Sequence, residues 1–338
     1  LILEMSKKQD FTYQFTTIHS LFYSLKGIGI QGLSSNQLHS IPMPLPSLSE
    51  QYRIVEKLNE LLSFVDTIES NKTTLQDLIK QTKSKILDLA IRGKLVPQNL
   101  NDEPTSVLLE RIRVEKEELI KQGKIKRDKK ESIIFRGDDN SYYEKIKNEV
   151  HCIDSELPFK LPVGWAYERL GNICSVARGG SPRPIEDYLT DDENGLNWIK
   201  ISDTKQGGKY IFSTKEKIRR EGLSKTRLVK CGDFLLTNSM SFGRPYILQT
   251  NGCIHDGWLV IGDTESVFQQ EFLYYLLSST TMFNTLNSLA VGSTVKNLKS
   301  ESVKSLIVPI PPLQEQAAIA QYIETIFDAI LPIEKSLK

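Results

Sequence analysis

From Ile54 onward the apolar positions fall four and three residues apart in alternation. They are Ile54, Leu58, Leu61, Val65 and Ile68, then Leu75 and Ile79, then Ile86 and Leu89, with Lys72 and Thr82 on the two intervening beats. This is a heptad seam, a pattern that asks for a partner helix rather than a broad core. The predicted helix starts behind Pro44 and Pro46, where Ser47 and Glu50 have capping-box spacing, and stops at Gly93 after Arg92. Such a helix is roughly 65 Å long at ~1.5 Å per residue, the dimension of a spacer. Lys72 and Thr82 interrupt the seam, and polar breaks of this kind fix register at some cost in stability.

The pattern returns 265 residues later. Residues 309–316 read PIPPLQEQ against PLPSLSEQ at 44–51, and the same gap-free offset aligns Gly27 with Gly292, Leu33 with Leu298, Ser35 with Ser300 and Ser40 with Ser305. The second seam is Ile319, Ile323, Ile326, Ile330 and Ile333, matching Ile54 to Ile68. Helical periodicity does not require a shared Pro-x-Pro-x-Leu-x-Glu-Gln lead-in, so the chain carries two copies of one module. The matched heptads predict that the two helices pack antiparallel.

Between the copies, Asp102 and Pro104 open a second helix over 104–122, followed by the basic run KQGKIKRDKK (121–130), read as a solvated linker. Residues 131–156 lack periodicity and read as linker too. Residues 157–310 alternate short apolar runs with Gly, Asn, Asp and Ser turns. Trp165–Leu170, Trp198–Ile201, Phe234–Thr237, Tyr246–Gln249 and Trp258–Ile261 are predicted strands, and Phe272–Leu277 and Phe283–Leu289 predicted helices, an α+β mix. The organisation expected is a C-terminal remnant of a first globular domain (1–43), a long spacer helix (44–94), a second helix with a basic linker (95–156), a complete globular domain (157–310) and the start of a second spacer helix (311–338). Leu1 stands where a Met would open a gene and already lies inside a module, which reads as a chain beginning partway through a longer gene. The second helix stops at Lys338, so the alternatives are part of a longer subunit or a natural truncated form that dimerises.

Composition sets few limits. Forty-three basic against 42 acidic residues give +1, not the footprint of a chain that holds DNA by bulk charge. The four cysteines show no metal spacing and read as reduced thiols in a cytoplasmic protein. No apolar run approaches the ~18 residues of a membrane span, and no signal peptide is visible.

Catalytic signatures are sparse. A DNA adenine methyltransferase needs an Asn/Asp-Pro-Pro-aromatic element, and the one Pro-Pro pair, Pro311-Pro312, is followed by Leu313. No G-x-x-x-x-G-K-[ST] phosphate loop occurs, and Gly27-Ile-Gly-Ile-Gln-Gly32 leads into prolines rather than a helix, so it is not read as a dinucleotide site. His255-Asp256 lacks a nucleophile at a recognisable elbow and reads as a loop pair, and Asp191-Asp192-Glu193 as a solvated turn. No catalytic or metal-binding residue is therefore assigned.

Binding is better supported. Residues 196–230 hold ten basic against three acidic side chains, +7 inside a near-neutral chain, as on a DNA-facing surface. Lys200, Lys205, Lys209, Lys217, Arg219 and Arg220 are the candidate contacts. Three loops join them. Arg178-Gly179-Gly180-Ser181 has two glycines that would let backbone approach a phosphate. Ser239, Ser241 and Arg244 offer hydroxyls and an arginine suited to a guanine edge. Ser293, Thr294 and Lys296 form a small polar loop before the second helix.

The paired Pro-rich lead-ins to Glu-Gln helices, together with LPVGWAYERLGNICSVARGGSPRP at 161–184, resemble the specificity subunits of type I restriction–modification enzymes. That resemblance implies two target-recognition domains separated by two long antiparallel helices acting as a ruler, each domain similar to the recognition domain of a DNA adenine methyltransferase. It implies a subunit that reads half of a bipartite site in double-stranded DNA and scaffolds methyltransferase and restriction subunits without being the catalyst or spanning a membrane. No cofactor is expected in this chain; S-adenosylmethionine, ATP and magnesium would sit in the partner subunits. The alternatives are a coiled-coil scaffold without specific DNA contacts, favoured by the near-zero net charge, and a stand-alone DNA-modifying enzyme, disfavoured by the missing motifs.

Overall fold

The computed structural model describes residues 46–128, 131–205, 207–238, 242–290 and 297–337. The expected first-domain remnant at 1–43, with its glycine pattern, lies outside the described residues. The chain divides into a unit running to Leu78 (with Leu337) and a unit from Ile79 to Ser336 (with Lys338).

Helix α1 spans Leu48–Ala90, close to its predicted bounds. Its start is held by Gln51, whose Nε2 donates to the Pro46 carbonyl at 2.9 Å and whose amide donates to the Ser47 carbonyl at 2.9 Å. Ser47 Oγ instead meets Ser49 Oγ at 3.1 Å, so the side chain fixing this start is Gln51 rather than the expected Ser47 cap. In the first unit Ile54 and Leu58 are half-buried, whereas Leu61, Val65, Ile68 and Leu75 are 49, 50, 66 and 39% exposed. That corrects the expectation of a continuously packed seam.

In the second unit α1 ends as predicted. Gly93 takes φ +63°, its amide donates to Ala90 O and that of Lys94 to Leu89 O, both at 3.0 Å, a left-handed cap open to glycine. Helix α2 spans Thr105–Lys121, and Gly123 closes it in the same way. The expected linker beyond it is in fact a three-stranded antiparallel sheet, β1 (Ser132–Arg136), β2 (Tyr142–Ile146) and β3 (Glu149–Cys152). Its inward positions include Ser132 and Glu144, so no apolar alternation betrays it. Glu144 is buried against Arg169, which donates to both its oxygens at 2.5 and 2.6 Å.

The domain that follows holds β4 (Ala166–Arg169), the short α3 (Leu170–Ile173), β5 (Ser175–Arg178), β6 (Leu189–Thr190), β7 (Leu196–Ile199) and β8 (Tyr210–Ile211). Next come β9 (Glu216–Ile218), β10 (Arg227–Val229), β11 (Phe234–Thr237), β12 (Pro245–Leu248), β13 (Gly252–Ile254) and β14 (Trp258–Gly262). Helices α4 (Gln270–Ser278), α5 (Thr280–Leu289) and α6 (Ser300–Lys304), strand β15 (Ile307–Ile310) and helix α7 (Leu313–Ser336) complete it. The fold is α+β. One sheet runs β5-β14-β11-β12-β8 and a second β10-β13-β7-β9-β6, while β15 pairs with β4.

Strand periodicity sorts the side chains into layers. Phe234 and Leu236, Ile247, Leu259 and Ile261 face the helices, while Leu235, Tyr246, Leu248, Trp258 and Val260 face the second sheet. Both faces of the first sheet are thus buried, which is why these strands read as unbroken apolar runs.

The helix-side core also takes in Ile86, Leu87, Ala90 and Ile91 from the end of α1 and Ile319, Ala320 and Ile323 from the start of α7. Gly93 lies against the Trp165 ring, and Trp165 Nε1 donates to Glu315 Oε2 at 2.9 Å, so the end of α1 meets the start of α7. Farther along, Lys83 pairs with Glu334 at 2.7 Å and covers the Phe327 ring. Residue numbers fall on one helix as they rise on the other, so the pair is antiparallel over these turns. Of the predicted seam, Ile79, Ile86, Ile319 and Ile323 are buried, Leu89, Ile326 and Ile330 half-buried, and Ile333 exposed. A helix of 24 residues cannot cover one of 43.

The repeat is visible in atoms. Gln316 Nε2 donates to Pro311 O at 2.9 Å, as Gln51 does to Pro46 O, and its amide donates to Pro312 O as that of Gln51 does to Ser47 O.

Two outcomes are expected. Ile323→Ala, at a fully buried position, should cost about 2–5 kcal/mol in denaturant unfolding, whereas Leu61→Asp, at an exposed one, should change stability by less than ~0.5 kcal/mol. Burial pushes the Glu315 carboxyl above the ordinary carboxylate range, against the Trp165 hydrogen bond. The folded state therefore holds this proton more tightly than the unfolded state. The associated stability is full below the unfolded value and is lost as pH rises through the folded one. Glu315→Gln keeps an acceptor for the indole, so its stability relative to the native chain should rise as pH increases above the ordinary carboxylate range.

Candidate nucleic-acid interface

Two of the three loops singled out in the sequence are rooted on the turn 255–257 and its flanks, and the third joins them through Asn238. After β5, the Gly179 amide donates to Trp258 O at 3.0 Å, the Gly180 amide to Ile254 O at 3.2 Å, and Ser181 Oγ to Asp256 Oδ1 at 2.9 Å. After β11, the Asn238 amide donates to Gly257 O at 3.0 Å and its Nδ2 to Asp256 O at 2.7 Å. The Asn238 carbonyl accepts the Leu298 amide at 3.0 Å, which brings the end of the third loop to the same place. Ser239, Ser241, Ser293, Thr294 and Lys296 themselves lie outside the described residues.

Around this node Arg178 and Arg183 are exposed, and so is Arg227. Arg178 Nε donates to Asp256 O at 3.0 Å, Arg227 Nε to Arg178 O at 3.0 Å, and Arg183 pairs with Asp256 at 3.5 Å. Lys225 donates to Tyr188 OH at 2.7 Å and lies over its ring. Arg183 was outside the predicted set, and Lys225 and Arg227 entered it only as charge. The backbone amide of Arg219 also joins Tyr188, through its carbonyl, at 2.8 Å. Lys205, Arg219, Arg220 and Arg244 are exposed as expected of phosphate or base contacts.

Other predicted contacts have different duties. The Gly179 and Gly180 amides are already donated within the chain, and a Cβ on Gly179 would meet the His255 and Ile254 carbonyl oxygens. These glycines admit the chain's own backbone, not a phosphate. Lys209, its side chain 15% exposed, pairs with Glu324 at 3.0 Å and Glu271 at 3.9 Å and lies about 5 Å from the rings of Tyr210, Tyr274 and Tyr275. It ties the edge of β8 to α7 and α4. Lys200 pairs with Glu216, and Lys217 Nζ donates to Glu193 O at 3.0 Å, so both are half-satisfied inside the sheet.

His255 is a turn residue: its Nδ1 accepts the Gly257 amide at 2.6 Å, and burial pushes its pKa below the ordinary value, favouring the neutral ring. Among the described residues no cluster of His, Cys, Asp and Glu could hold a metal ion, and no helix is long and apolar enough to cross a membrane.

Residues 1–80 and 162–338 match the family described as "Type I restriction modification DNA specificity domain". The chain belongs to this family. The match omits 81–161, the stretch holding α2 and the three-stranded sheet. Among curated relatives, the specificity subunit of the type I restriction enzyme EcoAI from Escherichia coli is 31% identical over 258 residues, 71% of this chain and 38% of that protein. The EcoBI specificity subunit of Escherichia coli is 23% identical over 92% of this chain and 56% of its own length. The chain thus spans about two fifths to a little over half of these relatives. A solved structure described as "Structural basis underlying complex assembly and conformational transition of the type I R-M system" shares the fold, with a TM-score of 0.56 and 17% identity over 95% of this chain and 63% of that one.

The glycine assignment has a direct test. Gly179→Ala should destabilise the domain by about 1–3 kcal/mol in urea unfolding, because a Cβ there would collide with the His255 and Ile254 carbonyl oxygens. Unchanged stability with weakened DNA binding would return Gly179 to the phosphate role.

Proposed function

We propose that this chain is the reading part of a type I specificity subunit. Residues 157–310 recognise one half of a bipartite site in double-stranded DNA, and the helices set the distance to the other half. The subunit is not itself the catalyst. Methyltransferase subunits, which bring S-adenosylmethionine, dock on the helical base, and restriction subunits, which bring ATP and magnesium, join through them.

The observation that carries this reading is the convergence of three loop roots around residues 254–258, with the exposed Arg178, Arg183 and Arg227 beside them, on a domain whose core takes in both helix ends. Loops on a rigid scaffold are where recognition resides. Exposed cations supply sequence-independent phosphate contacts, and a few side chains read base edges. The exposed seam residues Leu61, Val65 and Ile68 favour a further role as a packing surface for another helix.

Moving 157–310 into another specificity subunit should change one half-site of the methylation pattern and leave the other half-site and the spacing alone. A graft that assembles but keeps the host pattern at both half-sites overturns the reading. Within the graft, Arg244→Ala should relax preference at one base by ~1–3 kcal/mol, while Arg220→Ala should weaken all sequences alike and lower the salt slope by about one.

A further inference from the structure

One acid sits where the arginines gather. Asp256 accepts Ser181 Oγ at 2.9 Å on Oδ1, and its amide lies 3.3 Å from the same hydroxyl. Its Oδ2 is 3.5 Å from an Arg183 nitrogen, and its carbonyl accepts both Arg178 Nε at 3.0 Å and Asn238 Nδ2 at 2.7 Å. A single residue thus ties the loop after β5 to the root of the loop after β11. Through the Asn238 carbonyl and the Leu298 amide it also reaches the end of the loop before α6. The side chain is 45% exposed, so the carboxylate faces solvent among exposed cations rather than sitting in a core.

A surface that only had to hold phosphates would gain nothing from a carboxylate there, since it repels the backbone of any duplex, whatever its sequence. We propose that Asp256 is a positioning residue for sequence reading. Its carboxylate fixes the loop after β5 and its carbonyl the root of the loop after β11, in the geometry that fits the correct half-site, and its charge weakens phosphate binding to every duplex alike, leaving base contacts to decide which duplex is held. This rests on the DNA-reading function above.

The two actions are separable by substitution. Ser181→Ala removes the tie between loop and carboxylate and leaves the charge in place. Asp256→Asn removes the charge and keeps an acceptor for Ser181. Asp256→Ala removes both. Each variant subunit, assembled with its methyltransferase partner, is titrated against a duplex carrying the methylated site and a scrambled duplex over a range of salt, with thermal unfolding alongside. Ser181→Ala should lower the ratio of specific to scrambled affinity by roughly tenfold, as expected for a lost hydrogen bond to a charged group, with the salt slope unchanged. Asp256→Asn should bind both duplexes more tightly, keep their ratio near the native value and steepen the slope. Asp256→Ala should do both. An Asp256 that merely supports folding would lower both affinities together with the unfolding temperature. Wild-type ratios and slopes in all three variants, or equal losses on both duplexes, overturn the proposal. A native complex with no preference between the two duplexes instead overturns the functional reading, and this proposal with it.

Discussion

The fold depends on seating the start of α7 and the end of α1 in the core of the recognition domain. Ile319, Ala320 and Ile323 from one helix, and Ile86, Leu87, Ala90 and Ile91 from the other, share one apolar cluster with the first sheet and its helices. Each leucine or isoleucine among them removed from water contributes on the order of 1.5–3 kcal/mol, far more than helix propensity adds to these turns. Polar groups at the same place are paired rather than excluded. The buried Gln316 side chain donates to Val267 O and Pro311 O and accepts the Gln269 amide. The Pro-Glu-Gln lead-in is thus a fixed joint between a helix and the domain at 157–310.

From that joint the functional face follows. The sheet fixed against the helices presents its turn at 255–257; two loops are rooted there, and the third reaches it through Asn238. The basic segment divides according to its surroundings. Lys209 is committed to α7 and α4, Lys200 and Lys217 to the second sheet, while Arg178, Arg183, Arg220, Lys225 and Arg227 stay exposed at the surface. On the proposed function, local charge density rather than the net charge of +1 would do the work of holding DNA.

Features carried by periodicity were legible in the sequence. The heptad, the glycine stop at Gly93, the repeated lead-in and the apolar strand runs reappear near their predicted places. Features carried by distant pairs were not. Asp256 was read with its neighbour His255, whereas its partner Ser181 is 75 positions away. Lys209 counted as a surface charge because Glu324, which claims it, lies 115 positions on. The β1–β3 sheet escaped notice because a buried Glu144 with a bidentate arginine replaces the apolar residue that alternation would demand. The seam was over-read for the opposite reason, since a heptad states that a partner is wanted and not how far along the helix the partner extends.

Native-state hydrogen exchange on this chain tests most directly whether helix ends and reading head form one cooperative unit. If they do, amides in the last turns of α1 and the first turns of α7 open only with the β11–β12–β14 sheet, at the same free energy and the same denaturant dependence. Amides in the α1 stretch from Leu61 to Leu75 exchange at lower free energy. Helix ends that open well before the sheet would contradict the account, because the reading head would then be tethered to its helices rather than built on them.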